Sequence, residues 1–397
     1  MKSKHLTDLI LESMREEVEQ FVQEEGQITS STEYEERLIE LSRKFAARLV
    51  SHGSVPLPKS RNSKKKVVTS LGRFELSKRH PLAQGTGKFA MSERVRRLCC
   101  LTGQATVYSQ ASELLQQIGG ISIPSMQIQR LCTHYGSLVD PLIQANCEAV
   151  IAKPSQRDAQ DPLYVMVDGA MIFTREDQWR ELKLGRVFAH DQIVELHSSR
   201  REVRQSLYVS HLGSASDFFP KLERHLVGTH RKVIIGDGAK WIWNWAEDNY
   251  PGAQQILDFY HAKEKLVLFA GHQWKCDEKR KAWIKTQLDR LLNNELEQVL
   301  QCIRSTRASN ESAKLAKQKL IDYYLEHDHR MQYKTYREQG LLIGSGPVEA
   351  AHRSVIQQRM KLSGQRWSVA GAQAMANLRC YKCSGAWNLI EKIIAAA

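Results

Sequence analysis

The stretch "VIIGDGAKWIWNW", Val233 to Trp245, decides how this chain is read. An apolar, β-branched run stops at Gly236-Asp237-Gly238 and gives way to Trp241, Trp243 and Trp245. Upstream, "YVMVDGAMIF" repeats the design, with an apolar run that reaches Asp168-Gly169-Ala170. Runs of this length and branching read as buried strands, and both are expected to stop at their Asp-Gly-Ala. The glycines could cradle a phosphate, the aspartates could hold a metal, or both could be ordinary turns. The phosphate reading fails because neither strand is followed by G-x-x-x-x-G-K-[ST] or G-x-G-x-x-G. A turn explains one Asp-Gly well and two matched ones after buried strands less well. Two carboxylates at strand ends, where ligands commonly bind, suit a hard divalent cation such as magnesium or manganese.

Outward from these strands, "WRELKLGRVFAH" and "QSLYVSHLG" read as two more, antiparallel to each other. "SDFFPKLERHL" and "KWIWNWAEDNY" read as helices and "AQQILDFYH" as a last strand. The result is a mixed α/β layer with both Asp-Gly-Ala segments in one sheet. Trp241 and Trp245, four apart, are expected on the core face of their helix. Trp243 points elsewhere, into packing or toward a flipped base. Residues 262 to 335 are almost wholly helical and heavily charged. Beyond them "GSGPVEAAHRS" opens a helix in which Gly346 is the expected cap. Glu349 lies in its first turn, as a third acid or as a partner of the helix dipole. Glu349, His352 or Arg353, Ile356 and Met360 share a face at helical spacing.

The chain has 397 residues, ordinary hydrophobic content (42%) and a net charge of +13. That charge favours an anionic polymer, of which nucleic acid is the commonest. No apolar run is long enough to span a membrane, and the N-terminus has no signal-peptide core, so a cytoplasmic location is expected. Of the cysteines only Cys380 and Cys383 have ligand spacing, and a single pair is half a zinc site; reduced thiols are expected.

Two amphipathic helices occupy residues 1–50, as a helical hairpin or an oligomerisation element. The following stretch is rich in Pro, Ser, Lys and Arg (Lys59, Arg61, Lys64, Lys65, Lys66). It reads as a solvated tether or a phosphate-tracking arm. "YSQASELLQQIGGISIPSMQIQRLCTHYG" has the shape of a helix-turn-helix. Ala111, Leu114, Leu115 and Ile118 form the first apolar face, Gly119-Gly120 the break, and Ser122 or Ile123 the cap of the second helix. Gln127, Gln129, Arg130 and His134 are left for groove contacts; a plain helical hairpin is the alternative.

These motifs in order ("VDGAMI", "GDGAKWIW", "LDFYHAKEKL", "GSGPVEA", "RMKLSGQRWS") resemble the ISKra-type bacterial insertion-sequence transposases. Those are Mutator-related DDE transposases with an RNase-H-like core. The likeness spans about residues 100 to 385. The spacings fit it too, with 69 residues from 168 to 237 and 112 from 237 to 349. One departure is that "VTSLGRFELSKRHPLAQGTGKF" carries no cysteine, so no zinc knuckle is expected there.

The resemblance implies two-metal phosphoryl transfer with two Mg2+ or Mn2+ ions held by Asp168, Asp237 and Glu349. Asp168 would bridge both ions. Asp258 and His261 match the family's Cys/Asp-x-x-His motif and read as a supporting pair. Lys64, Lys65, Lys66, Gln127, Arg130, Lys240, Arg353, Lys361, Arg366 and Trp367 are candidates for the path of double-stranded DNA, transposon ends and target alike. A homo-oligomer is expected in the DNA complex, and no membrane partner. The implied organisation is a helical region (1–55), a basic arm (56–91), a helix-turn-helix-like region (92–160), and an RNase-H-like α/β core (161–262). A helical insertion (263–340) and a Glu-bearing helix with C-terminal helices (341–397) complete it. Rival readings are a structure-specific nuclease or resolvase on the same fold, an inactive DNA-binding descendant, and, remotely, a two-Asp glycosidase.

Overall fold

A computed structural model describes residues 2–28, 30–51, 63–140, 161–197, 200–226 and 231–396. The chain divides into two compact units, Met1–Val139 with Asn388–Ala397, and Asp140–Trp387. The final stretch therefore goes with the first unit, not with the Glu-bearing helix with which the sequence division grouped it.

In the first unit, α1 (Lys2–Glu24) and α2 (Ser31–Ser51) pair through Arg37, which bridges Glu24 at 2.7 Å and Glu33 at 2.9 Å. Among described side chains of the two helices only Ile10 and Met14 are buried, so much of the expected apolar stripe, Leu9, Val18 and Val22 included, faces outward. The basic stretch is no simple tether where it is described. Lys64–Thr69 is strand β1, antiparallel to β2 (Gly72–Ser77). Alternation after the lysines drives this: Val67 and Thr69 are buried on one side and Leu76 packs with Val67. Lys59 and Arg61 lie outside the described residues. After a short α3 (Pro81–Gln84), α4 (Glu93–Ala105), α5 (Tyr108–Gly119) and α6 (Ser125–Ser137) pack on one another. Gly103 lets α4 meet α6, since a Cβ there would lie 2.6 Å from the Cys132 sulfur. Buried Arg96 on α4 donates to the Tyr135 hydroxyl at 2.6 Å.

The break between α5 and α6 is a left-handed Gly120 (φ 61°) whose N–H returns to the Gln116 carbonyl, a usual glycine C-terminus. Pro124, with extended backbone, sits at the cap of α6 in place of Ser122 or Ile123. The apolar face of α5 is narrower than its sequence suggests. Ala111 and Leu115 are buried, whereas Leu114 and Ile118 are exposed.

The second unit is built on a mixed five-stranded sheet of order β7-β4-β3-β8-β9. Its strands are β3 (Leu163–Thr174), β4 (Gln178–Ala189), β7 (Leu207–Leu212), β8 (Lys232–Gly236) and β9 (Gln254–Leu257). β3, β4 and β7 are antiparallel neighbours, while β8 and β9 run parallel to β3. A hairpin the sequence reading missed, β5 (Ile193–His197) and β6 (Arg200–Val203), separates β4 from β7. Helices α7 (Ala215–Glu223) and α8 (Lys240–Asn249) fill the crossovers. The core is continuous from Tyr164, Val165, Met166 and Val167 through Phe218, Ile234, Ile242 and Trp245.

The expected helical insert is present as α9 (Phe259–Gln273), α10 (Asp277–Leu292), α11 (Leu296–Ser305), α12 (Glu311–Glu326) and α13 (Tyr333–Glu338). It is fastened by Tyr324 and Tyr333, whose hydroxyls donate to the Ala262 and Leu257 carbonyls at 2.9 and 3.1 Å. Helix α14 (Gly346–Ala351) continues as a π-helical segment, His352–Gln357. Helix α15 (Val369–Cys383) follows and packs on β7; the last helix is α16 (Trp387–Ala396). No described helix is long and apolar enough to cross a membrane.

Candidate active site

β3 does not stop at Asp168. It runs to Thr174, paired with β4 throughout. β8 does stop, at Gly236, opposite Val167 on one side and Leu257 on the other. The residues that follow these register partners are Asp168, Asp237 and Asp258. The parallel register thus sets three aspartates in one row across β3, β8 and β9, the third of which the sequence reading had treated as a supporting residue.

Each aspartate has different surroundings. Asp168 is partly buried, accepts from the Gly169 N–H at 2.7 Å and lies 3.1 Å from His352 Nε2. The His352 contact has ion-pair distance without hydrogen-bond alignment. Burial alone would raise the Asp168 carboxyl, but His352 and the Gly169 N–H outweigh it and hold the value low. Asp237 accepts from the Ala239 N–H at 2.9 Å. Its carboxyl is pushed up, first by burial and then, against that N–H, by the nearby Asp168 charge. The Asp168 charge felt at Asp237, and the His261 charge felt at both, place the two carboxylates in one electrostatic neighbourhood.

Asp258 is fully buried and saturated with donors. It caps α9 by accepting from the Tyr260 and His261 N–H groups, both at 3.1 Å, and its Oδ2 lies 2.5 Å from His261 Nδ1. Ser345 adds its N–H and its hydroxyl, both at 2.8 Å. Burial would raise this carboxyl too, yet the His261 and Ser345 bonds lower it. The bond to Asp258 raises His261 to about 9, against its own burial, with Asp237 and Glu264 contributing charge. The pair is therefore an internal ion pair at neutral pH.

Glu349 stands on α14, exposed, with Oε1 3.0 Å from the Ser345 hydroxyl. The cap of α14 is Ser345, not Gly346. The π-helical segment keeps the apolar part of the face that sequence spacing assigned, and Glu349 at its start is exposed. His352, Ile356 and Met360 are buried, and Arg353 is exposed. Among the described residues no three His, Cys, Asp or Glu side chains are gathered closely enough to hold a metal ion. The donor chemistry of Asp168 on β3 and Asp237 just past the end of β8, two hard-oxygen carboxylates, suits magnesium or manganese; Glu349 is engaged with Ser345.

Three residues escaped the sequence reading. Glu181 reaches over Gly169, where a Cβ would lie 2.3 Å from its Oε1, and bridges buried Lys183 at 2.6 Å. Tyr323 lies against Gly238, where a Cβ would come 2.1 Å from the ring. Ser345 is hidden in a glycine-flanked loop. Strand alternation in "WRELKLG" offered a signal for Glu181; nothing local offered one for Tyr323, which arrives from the insert.

Trp243 is buried and does not face a DNA path. Its Nε1 donates to the Asp237 carbonyl at 2.7 Å, and Arg330 stacks over its ring at 4.4 Å. Trp245 stacks on Phe219 at 4.2 Å, so all three tryptophans of α8 are packing residues, with Trp241 against Phe218 and Phe219. Trp367 is likewise removed from the DNA-facing set. It is buried, donates to the Met360 carbonyl at 3.0 Å and pairs with the end of β3 at Thr174. Lys240, Arg353, Lys361 and Arg366 are exposed, and Lys240 lies 3.6 Å from Glu326. In the other unit, Arg130 is exposed, Gln127 half-buried, and Lys64 to Lys66 lie on β1. Cys380 is buried against the Ser210 hydroxyl at 3.3 Å, and burial pushes its thiol up to about 12; this suits a packed neutral thiol.

No curated protein matches the chain. Among solved structures it is similar to the Drosophila P element transposase strand transfer complex, at 12% identity over 75% of this chain and 80% of that one. The TM-score of 0.27 is too low to carry a fold assignment. Residues 92–391 match the family described as UPF0236, an uncharacterised protein family, and on that span the chain belongs to it.

Proposed function

We propose that this protein is a DDE-type DNA transposase with an RNase-H-like core, which cleaves and joins DNA strands at the ends of an insertion sequence. The observation that carries the reading is the parallel register of Val167 with Gly236, after which Asp168 and Asp237 follow directly. The mixed sheet, three antiparallel strands followed by two parallel ones, supports the fold reading. The net charge of +13 supports a DNA partner.

Asp168, Asp237 and Glu349 would hold magnesium or manganese, which when bound supplies Lewis-acid stabilisation and a deprotonated oxygen nucleophile. The chain's own residues prepare the site. The Ala239 N–H and the Trp243 indole fix the turn that carries Asp237. His352 places its Nε2 3.1 Å from one oxygen of Asp168. The buried Asp258–His261 pair sets a cationic imidazolium behind the aspartates. Arg130, Gln127 and the β1 lysines are the proposed contacts to double-stranded DNA in the first unit, and Lys240, Arg353, Lys361 and Arg366 those in the second. The DNA-bound form is proposed to be a homo-oligomer.

The test is purified protein with a donor DNA carrying the element's ends and Mg2+ or Mn2+. Joined products are expected; cut-only products would point instead to a nuclease or resolvase. Asp168→Ala, Asp237→Ala and Glu349→Ala should each lower cleavage by more than about a hundredfold, the upper end of what losing an outer-sphere metal partner costs. Full activity in any of them would remove that residue from the metal set.

A further inference from the structure

The Ser345 hydroxyl lies between two carboxylates, 2.8 Å from Asp258 Oδ2 and 3.0 Å from Glu349 Oε1. Serine at a helix N-cap ordinarily turns its oxygen back to accept from a backbone N–H of the first turn. Ser345 caps α14 and makes no such bond. Its side chain is committed to the acids instead. A hydroxyl has one proton to donate, so Ser345 serves one carboxylate at a time. Asp258 can release it, because four other donors remain: the Tyr260, His261 and Ser345 N–H groups and the His261 ring. The Ser345 backbone is held by the Asp258 carboxylate whichever way the hydroxyl turns. The neighbouring Phe259 N–H also donates to the Ile343 carbonyl at 2.9 Å. The loop before α14 is thus pinned to the head of α9, and only the hydroxyl is free to choose.

We propose that Ser345 is a positioning residue. It sets the Glu349 carboxylate through this hydroxyl and ties it to the buried Asp258–His261 pair, so that the exposed third acid is aimed by a fixed, fully buried one. The proposal rests on the metal-site reading above. Outer-sphere partners that orient a ligand typically change metal affinity on the order of ten- to a hundredfold when removed.

Mn2+ binding to the full-length protein, followed by titration calorimetry without DNA, tests this. Ser345→Ala should weaken Mn2+ binding on the order of ten- to a hundredfold, and Ser345→Thr, which keeps the hydroxyl, should restore it. Ser345→Ala added to Glu349→Gln should weaken binding no further than Glu349→Gln alone, because the serine acts through that carboxylate. A general packing defect would add its loss in full. Melting midpoints without metal show which variants are folded, and where Ser345→Ala is not, the same comparison is made with Ser345→Cys. The proposal is overturned if the folded Ser345 variant binds as wild type does, or if its loss adds fully to that of Glu349→Gln. Wild type that binds no Mn2+ removes the metal reading and this proposal together, which separates the two failures.

Discussion

The chain carries the tripeptide Asp-Gly-Ala twice in the same sheet, and the two copies adopt different backbones. At Asp168 the strand continues, because β4 offers a partner for every residue to Thr174. At Asp237 the strand ends, because the pairing of β8 with both neighbours runs out at Gly236. The following residues agree with this: "MIFT" alternates as a strand, whereas "KWIWNW" buries Ile242, Trp243 and Trp245 on a helix. Pairing, not the tripeptide, decides the backbone, and the shared consequence is a carboxylate at the same level of the sheet.

The comparison can be broken at the glycines. At Gly238 an added methyl would meet the Tyr323 ring, which is wedged between Tyr324 and His327 at 6.2 and 4.9 Å between centroids. At Gly169 it would meet the Glu181 side chain, which is half-exposed and can shift at the expense of its pairing with Lys183, whose ammonium keeps its bond to the Gly213 carbonyl. Gly238→Ala should therefore cost about 1–3 kcal/mol, the usual range for overpacking. Gly169→Ala should cost clearly less. Melting of both variants beside wild type checks the order, and equal losses would refute the idea that the insert is what closes on the second copy.

A smaller effect is expected at the indole beneath Asp237. Trp243→Phe keeps an aromatic ring in the pocket but removes the donor to the Asp237 carbonyl and the volume of the indole's second ring. The lost bond accounts for about 1 kcal/mol beside the packing loss, together with slower metal-dependent cleavage as the turn loosens. A variant with wild-type stability and rate would show that the turn needs no anchor.

The five strands of the main sheet, their order along the chain, the helical insert and the acids at Asp168 and Asp237 were legible because each rests on local patterning: apolar runs, turn residues, helical spacing. What escaped depends on sequence-distant packing. The spacing Trp241, Trp243, Trp245 placed the middle ring away from the core, but the insert supplies a second wall and buries it under Arg330. The π-helical segment from His352 was not legible in the helical spacing, although His352, Ile356 and Met360 still share a buried face. Trp367, a candidate for the DNA path beside basic residues, is drawn in by the extension of β3 beyond Asp168. The same extension was hidden by the expectation that both tripeptides end their strands.

The row of aspartates sharpens the comparison further, because its third member does a different job. Asp168 and Asp237 are partly open, while Asp258 is sealed beneath His261 and Ser345. The charges facing His261 are Asp258 on its own helix cap, Asp237 across the row and Glu264 one turn on. Its folded value, raised to about 9 from 6.5, sets the sign of a pH dependence. The pair contributes its full stabilisation below about pH 6.5, and that contribution falls as pH rises and is lost above about 9. Its acid side is fixed by Asp258, whose lowered carboxyl keeps the pair intact until pH falls below the ordinary carboxylate range. Because His261 is partly open to solvent, with its side chain 28% exposed, the contribution should be under about 1 kcal/mol, toward the range of screened pairs. His261→Gln cannot carry the charge, so the gap in melting midpoint between wild type and this variant should be widest near pH 6 and shrink toward pH 9.5. A gap that stays constant across that window would mean that His261 is held as a neutral packing residue, and Asp258 would then be the one member of the row whose charge is balanced by hydrogen bonds alone.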